Sequence, residues 1–357
     1  MIKNELIKQI KKDNKGISLE KFIDISLFNK NGYYIQSNPI GKSGDFITAP
    51  EISQLFGEII GLYIYDIWKK KFNNKINLIE IGPGKGTLIL DILRITKKFS
   101  YFHKCINLNL IEINKQLIDL QKKNLSNSIF KNKKISWHKN IEKIDDSPSI
   151  IIANEFFDCL PISQFVKNEK KWEEKRIGFN QEKKLFFFKN YKIDNKRSNK
   201  IDKILNNNNH KILEVSKKRE DYFDKLCKYI KRNKGVLIIF DYGYEKQLNY
   251  STLQCVKNNK KVHLFDDPGN QDITSLVDFN SFTELTKKNN LNINFFSYQK
   301  DFLISNGIIE RKNIILEKCD ANQKYIIETG LKRLIDDDKM GKLFKCLIIS
   351  DKKLNEK

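Results

Sequence analysis

Residues 78–93 read LIEIGPGKGTLILDIL: an apolar run with the look of a strand, a turn holding three glycines, then a run with helical spacing. Three kinds of nucleotide site begin this way, and the spacing of the turn separates them. A phosphate loop needs Gly-Lys followed at once by Ser or Thr, whereas Lys85 is followed by Gly86 and only then by Thr87. A dinucleotide fingerprint needs its third glycine where Thr87 stands. The remaining pattern is an acid, a spacer and G-x-G-x-G: Glu80, Gly82, Pro83, Gly84 and Gly86.

That form suits a cofactor without a pyrophosphate, and it is the pattern of S-adenosylmethionine-dependent methyltransferases on a Rossmann-like sheet. The glycines let the backbone approach the methionyl part, and the N-terminus of the following helix favours its carboxylate. Glu80 is placed to face the amino-acid end. Glu112, at the tip of the next apolar run, is placed to accept the ribose hydroxyls. On spacing alone both keep an ordinary alternative: a Gly-rich strand–helix turn, and a surface carboxylate at a strand end.

Outward from this stretch, apolar runs at 76–82, 108–113, 133–138, 149–155 and 234–243 alternate with helical patterns around 87–98, 114–124 and 217–232. This rhythm predicts a mostly parallel, doubly wound α/β sheet. A late pair of runs, 293–303 and 342–350, flanks a helical 323–335 and offers an antiparallel strand. Before the sheet, residues 1–72 read as a helical segment. Thr48 and Glu51 have capping-box spacing with Pro50 in the first turn, and Ile52 to Ile67 form one apolar helical stripe. The expected division is 1–72 (helical segment and pocket roof), 73–162 (first half of the core), 163–211 (a β-rich insert ending in an Asn/Lys-rich segment), 212–243 (core), 244–290 (a second, irregular insert) and 291–357 (last core strands).

Composition narrows the function classes. The chain has 357 residues and a net charge of +22, but only seven of its 66 basic residues are arginine. Lysine spread along a whole chain reads as a compositional bias, because nucleic-acid surfaces lean on arginine forks and interleaved aromatics; no nucleic-acid partner is expected. Six scattered cysteines without a C-x-x-C pair, and four histidines without ligand spacing, predict no metal site and a reducing compartment. No apolar run approaches the ~18 residues of a membrane span. The first 22 residues lack a signal-peptide apolar core and are interrupted by Glu5, Asp13 and Glu20, so a soluble, cytoplasmic protein is expected.

The candidate chemistry lies in SIIIANEFFDCLPISQF (149–165), where Asn154, Glu155 and Asp158 follow the fourth strand, on the side where open α/β sheets bind ligands. Methyl transfer is an in-line displacement, so alignment and charge placement matter most. For a guanidinium acceptor, two carboxylates can clamp it, localise its charge and take the proton; Glu155 and Asp158 have the right type and place. Asn154 and Asp158 equally suit turn caps before Pro161. Asp241 and Tyr242 end the fifth strand on the same side, where they can line an acceptor pocket or cover the sheet edge. Asp272 and Asp278 fall in an expected loop and read as turn formers.

Taken together, the chain resembles the MidA-like methyltransferases, which include the mitochondrial assembly factor for respiratory complex I. The resemblance runs through GYY (32–34), GDFITAPEISQLFGE (44–58), EIGPGKGTL (80–88), ANEFFDCLPI (153–162), FDYGY (240–244), DPGNQDITSLVDF (267–279), QKDFLISNGIIER (299–311) and MGKLFKCLII (340–349). It implies a Rossmann-like core with added lobes, S-adenosyl-L-methionine as cofactor, and arginine methylation of a protein, a subunit of NADH:ubiquinone oxidoreductase (complex I). It also raises Asp45, Thr48 and Gln54 to substrate-side residues of a pocket roof. Lys85 stands where relatives are expected to carry Arg. Two other readings remain: an assembly chaperone with a vestigial cofactor pocket, and a methyltransferase of nucleic acid or a small molecule. The latter lacks the Pro-Pro-aromatic turn that holds a flipped base.

Overall fold

The computed structural model describes residues 1–36, 44–45, 47–126, 134–169, 171–205 and 209–354. Phe46, Lys133 and the asparagines 206–208 of the stretches above therefore lie outside the described residues. Among the described residues the central sheet has eight strands: β1 (Ile76–Ile81), β2 (Ile106–Ile111), β3 (Ile135–His138), β4 (Ser149–Asn154), β5 (Val236–Tyr244), β6 (Asn292–Tyr298), β7 (Phe344–Ser350) and the two-residue Val277–Asp278, which pairs with the end of β5 off the main path. The main path runs β6-β7-β5-β4-β1-β2-β3. The pairs β1–β2, β2–β3, β1–β4 and β4–β5 are parallel, while β7 runs antiparallel to both β5 and β6. β1, β4 and β7 are buried along their whole length, as strands covered on both faces must be. Strand order reverses between β1 and β4, and that switch point sets the place of the site.

The helices used below are α1 (Ile2–Lys11), α2 (Leu19–Phe28), α3 (Gln54–Ile67), α4 (Thr87–Thr96), α5 (Lys115–Ser126), α6 (Lys217–Arg232), α7 (Phe279–Lys288) and α8 (Ala321–Ile335), of which α3 to α8 flank the central sheet. On one face Phe56 and Ile60 of α3, Ile92 of α4 and Leu331 of α8 pack with Leu78, Ile150 and Ile238. On the other, Phe223 of α6 and Phe279 and Phe282 of α7 cover Ile79, Ile151, Ile239 and Leu347. Alternate residues of one strand thus feed two cores. α3 and α4 meet closely because Gly57 and Gly61 face α4: a Cβ at either would lie 2.5 Å from Asp91 Cβ or 2.6 Å from Ile95 Cγ2. No helix among the described residues is long and apolar enough to cross a membrane.

Four expectations change at the level of elements. The stripe from Ile52 to Ile67 is not one helix. Ala49–Ile52 forms a short turn, Ser53 is extended, and α3 starts at Gln54 with Ser53 Oγ accepting from Leu55 N–H. No capping box forms at Thr48, whose side chain makes no cap bond, because Glu51 turns to the glycine loop instead. The run 293–303 is strand only to Tyr298; a helix follows from Gln299, whose side chain is buried and donates to the Leu334 carbonyl. The irregular stretch 244–290 ends in α7, which belongs to the second core.

The fourth concerns residues 1–72. Leu6 of α1 and Phe22 of α2 pack with Ile177, Phe186 and Ile273, whereas α3 packs on the main sheet. Ile177 and Phe186 belong to a second, five-stranded antiparallel sheet of Ile17–Ser18, Ser163–Asn168, Lys171–Asn180, Leu185–Lys192 and Ile212–Val215. Helical periodicity says that a face is buried but not against what.

Candidate active site

The carboxyl ends of β1, β2 and β4 open into one cavity of about 120 Å³, smaller than drug-sized ligand sites of roughly 300–1,000 Å³. The stacked pair Phe28–Tyr34 forms part of its lining. The floor is the glycine loop. Gly82, Gly84 and Gly86 all take positive φ (64°, 55° and 81°), a region open to glycine and strained for most side chains. α5 holds the loop: Gln121 Nε2 donates to the Gly84 carbonyl at 2.7 Å and Asn124 Nδ2 to that of Lys85 at 3.0 Å. Gln121 is itself fixed by Trp137 Nε1 at 2.9 Å.

Two buried acids face this floor. Glu80 lies against the start of α4; burial pushes its carboxyl up to about 8, against the pull of the Ile89 N–H. Its Oε2 is buried and has no partner among the described residues. Glu112 Oε1 accepts from Ile113 and Asn114 N–H at 2.8 and 2.9 Å, while Oε2 has a weak 3.4 Å contact from Gln121. Burial raises its carboxyl as well. An orphaned carboxylate oxygen on Glu80, a nearly free one on Glu112, and the helix N-terminus after Gly86 fit the ammonium, ribose and carboxylate groups of S-adenosylmethionine.

The opposite wall is the turn after β4. Glu155 sits at φ 48°, an uncommon conformation for a non-glycine residue and a frequent mark of functional sites. Its Oε1 accepts from Ala49 N–H at 2.8 Å and from Asn154 Nδ2 at 3.2 Å, and Asn154 Oδ1 is left buried without a partner among the described residues. Burial raises the Glu155 carboxyl to about 8, with Asp158 adding and Arg333 opposing.

What holds this turn is Asp241, whose Oδ2 accepts from the N–H groups of Phe156, Phe157 and Asp158 at 3.2, 2.9 and 3.3 Å. Arg219 closes it from α6. Its Nη2 donates to the Asp158 carbonyl at 2.6 Å and to Ser275 Oγ at 2.7 Å, and Nη1 to the Leu276 carbonyl at 2.7 Å. Asp272 completes the acidic ring; burial pushes it up to about 7, and Tyr34 donates to it at 2.7 Å.

Glu80, Gly82, Pro83, Gly84, Glu112, Thr48, Asn154 and Glu155 all line the cavity, whereas Gly86, Asp158, Asp45, Gln54, Asp241 and Tyr242 do not. Asp158 is buried behind the wall, its Oδ1 taken by Cys159 N–H at 2.8 Å. Asp241 is fully buried and organises the turn from beneath instead of meeting a substrate. Tyr242 packs on Phe344 and interacts with the Asp158 carboxyl. Asp45 accepts from Tyr33 Oη at 2.6 Å and from Asn258 N–H, tying the N-terminal segment to a hairpin. Gln54 is exposed at the start of α3. Asp272 is a buried member of the acidic ring and not a turn former, while Asp278 does cap α7 through Asn280 and Ser281 N–H.

The residues missed from sequence are Phe28, Tyr34, Glu51, Lys85 and Thr87 in the wall, with Gln121 and Arg219 behind it. Thr87 donates to Glu51 Oε1, and Lys85 lies 3.8 Å from Glu51 Oε2. Thr87 and Lys85 were legible as neighbours of the loop. Glu51 was not, since its spacing from Thr48 offered it a cap.

A family model described as "Putative S-adenosyl-L-methionine-dependent methyltransferase" matches residues 59–297. The chain is 31% identical over 345 residues, 90% of it and 80% of the relative, to the "Protein arginine methyltransferase NDUFAF7 homolog, mitochondrial" of Caenorhabditis elegans. To the Xenopus laevis "Protein arginine methyltransferase NDUFAF7, mitochondrial" it is 30% identical over 378 residues, covering 96% and 82%. A Burkholderia thailandensis protein crystallised with S-adenosyl-homocysteine superposes at a TM-score of 0.84 and 19% identity, over 98% of this chain and 91% of that one, and so has the same fold. Both relatives, and those of Danio rerio and Bos taurus, are named mitochondrial. Those names overturn the expectation of a cytoplasmic protein.

Proposed function

The chain belongs to this family of S-adenosyl-L-methionine-dependent methyltransferases, and from that premise we propose that it methylates an arginine of a protein, a subunit of NADH:ubiquinone oxidoreductase, in support of that complex's assembly. Glu80, Glu112 and the Gly82–Gly86 loop hold the cofactor, which when bound supplies an electrophilic methyl group on a sulfonium.

The observation that carries the acceptor is Glu155: a carboxyl on the cavity wall, in left-handed backbone, with one oxygen fixed by Ala49 N–H and a buried acid, Asp158, behind it. A buried acid of this kind suits a guanidinium, whose pKa above about 12 makes it a poor nucleophile until its charge is localised. The entering cation draws Glu155 back to its anionic form. Glu155 then orients the guanidinium and accepts the proton that leaves the methylated nitrogen. Asn154 positions Glu155, and Asp158 and Asp241 hold the turn.

The test is mass spectrometry of methylarginine on purified complex I subunits incubated with the enzyme and isotope-labelled S-adenosylmethionine. Wild type should label an arginine. Glu155→Gln, which keeps the oxygen that Ala49 binds, should lower transfer by about 10²–10⁴-fold with S-adenosylhomocysteine affinity unchanged. Label on lysine, or full transfer by the variant, would overturn the reading.

A further inference from the structure

Beside the cofactor cavity lies a second, more open one of about 580 Å³. Tyr325, Ile326 and Arg333 of α8 form one wall, and Ile47 and Ile52 the other. Glu51 and Lys85 line both cavities, so the two share a wall, and Glu51 in that wall lies 3.8 Å from Lys85 Nζ. α8 turns Leu331 and Leu334 into the main core, yet its outer face leaves Tyr325 69% and Ile326 59% exposed. A helix on a folded surface ordinarily presents polar residues there, and adjoining exposed apolar side chains at a cavity mark a contact surface.

Gly330 seats α8 close to the site, since a Cβ there would lie 3.2 Å from the Ile52 carbonyl oxygen. The turn it approaches, Ala49–Ile52, is the one whose first N–H fixes Glu155. At the same end the exposed Arg333 is near enough for its charge to act on Glu155. The groove therefore has an apolar wall, Arg333 as the exposed cation, a Lys85–Glu51 pair in the wall it shares with the cofactor cavity, and Glu155 on the far side within reach of Arg333's charge.

We propose that this groove docks the segment of the acceptor protein that adjoins the target arginine: an extended stretch laying an aliphatic or aromatic side chain on Tyr325 and Ile326 and pairing an acidic residue with Arg333, while the arginine itself passes to Glu155. The proposal rests on the reading of the chain as a protein arginine methyltransferase. The wall shared with the cofactor cavity and the reach of Arg333 to Glu155 argue for the acceptor as occupant, and charge complementarity gives the sequence it selects: apolar, acidic, arginine. Burial of one such side chain and one rim ion pair accounts for a selectivity of about tenfold or more.

Fluorescence anisotropy of short labelled peptides on the full chain, saturated with S-adenosylhomocysteine, tests this. The set is an arginine peptide flanked by Leu and Glu, the same peptide with both flanks as Ser, and the flanked peptide with its arginine as Ala. The flanked peptide should bind about tenfold tighter than the Ser version. Ile326→Glu should remove that preference, and Arg333→Glu should remove the part due to the acid, with S-adenosylhomocysteine affinity by calorimetry unchanged in both. Equal binding of flanked and Ser peptides, no binding of any peptide, or dimerisation in sedimentation that Ile326→Glu abolishes would each overturn the groove. Equal binding of the flanked peptide and its Arg-to-Ala version, with the flank preference intact, would keep the groove and sink the arginine reading instead.

Discussion

The two ends of the cavity proposed for the cofactor are built differently. The end that holds Glu80, the glycines and Glu112 comes from two successive strand–turn–helix units, and its props, Gln121 and Asn124, lie on the next helix along. The end around Glu155 converges from Tyr34, Ala49, residues 154–158, Arg219, Asp241 and Asp272; the Tyr34–Asp272 bond alone spans 238 positions. The first end is backbone geometry, written in residues that must be glycine. The second is a cluster of like charges held together by distant donors, and it exists only once every segment has arrived. Damage should therefore separate: changes at the first end cost cofactor, and changes at the second cost the acceptor site while sparing the cofactor.

The sharpest test of that contrast is Gly84→Val. A β-branched side chain at φ 55° is strained by ~1–3 kcal/mol, and a loop that relaxes away loses the site. Calorimetry should show S-adenosylhomocysteine affinity down by about 100-fold. Unchanged affinity would mean that the loop is not what holds the ligand.

Next in size is Asp241→Ala, which leaves three N–H groups of residues 156–158 without their acceptor. Chemical denaturation should show a loss of about 1–3 kcal/mol, with methyl transfer falling and S-adenosylhomocysteine still bound. Loss of the cofactor in this variant would break the separation of the two ends.

The mildest effect is on pH. Burial holds Glu80 near 8 in the free protein, and an incoming ammonium favours the carboxylate and lowers that value. Binding then releases a proton below about pH 8, so affinity should rise with pH, by up to about tenfold per unit, and level off above. Calorimetry at neutral pH in two buffers of different ionisation enthalpy measures the proton directly; no release would remove Glu80 from the ammonium.

Arginine usage shows how much of the second end lay unread in plain view. Of the seven arginines among 66 basic residues, several sit at junctions of the fold. Arg219 donates through two nitrogens to carbonyls of Asp158, Ser275 and Leu276. Arg94 and Arg311 converge on the buried Glu58, and Arg176 bonds Glu174 and the Gly16 carbonyl. A planar fork reaches several acceptors at fixed angles, and an ammonium on a flexible stem does not. That signal pointed to junctions of the fold, though not to which ones.

By itself the sequence determined the parallel core and the cofactor loop. Long unalternating apolar runs can only be strands covered on both faces, and three glycines at alternate positions before a helix allow few backbone paths. It also carried the identity of Glu155 as an acid just past β4. Only the tertiary structure decided that α1 and α2 serve the second sheet while α3 serves the first, that Glu51 turns to the glycine loop, and that Asp158 and Asp241 stand behind the wall. Periodicity and spacing describe a segment's own faces. Which partner meets each face, and which of several neighbouring carboxylates reaches a cavity, depends on contacts between residues hundreds of positions apart, which no local pattern encodes.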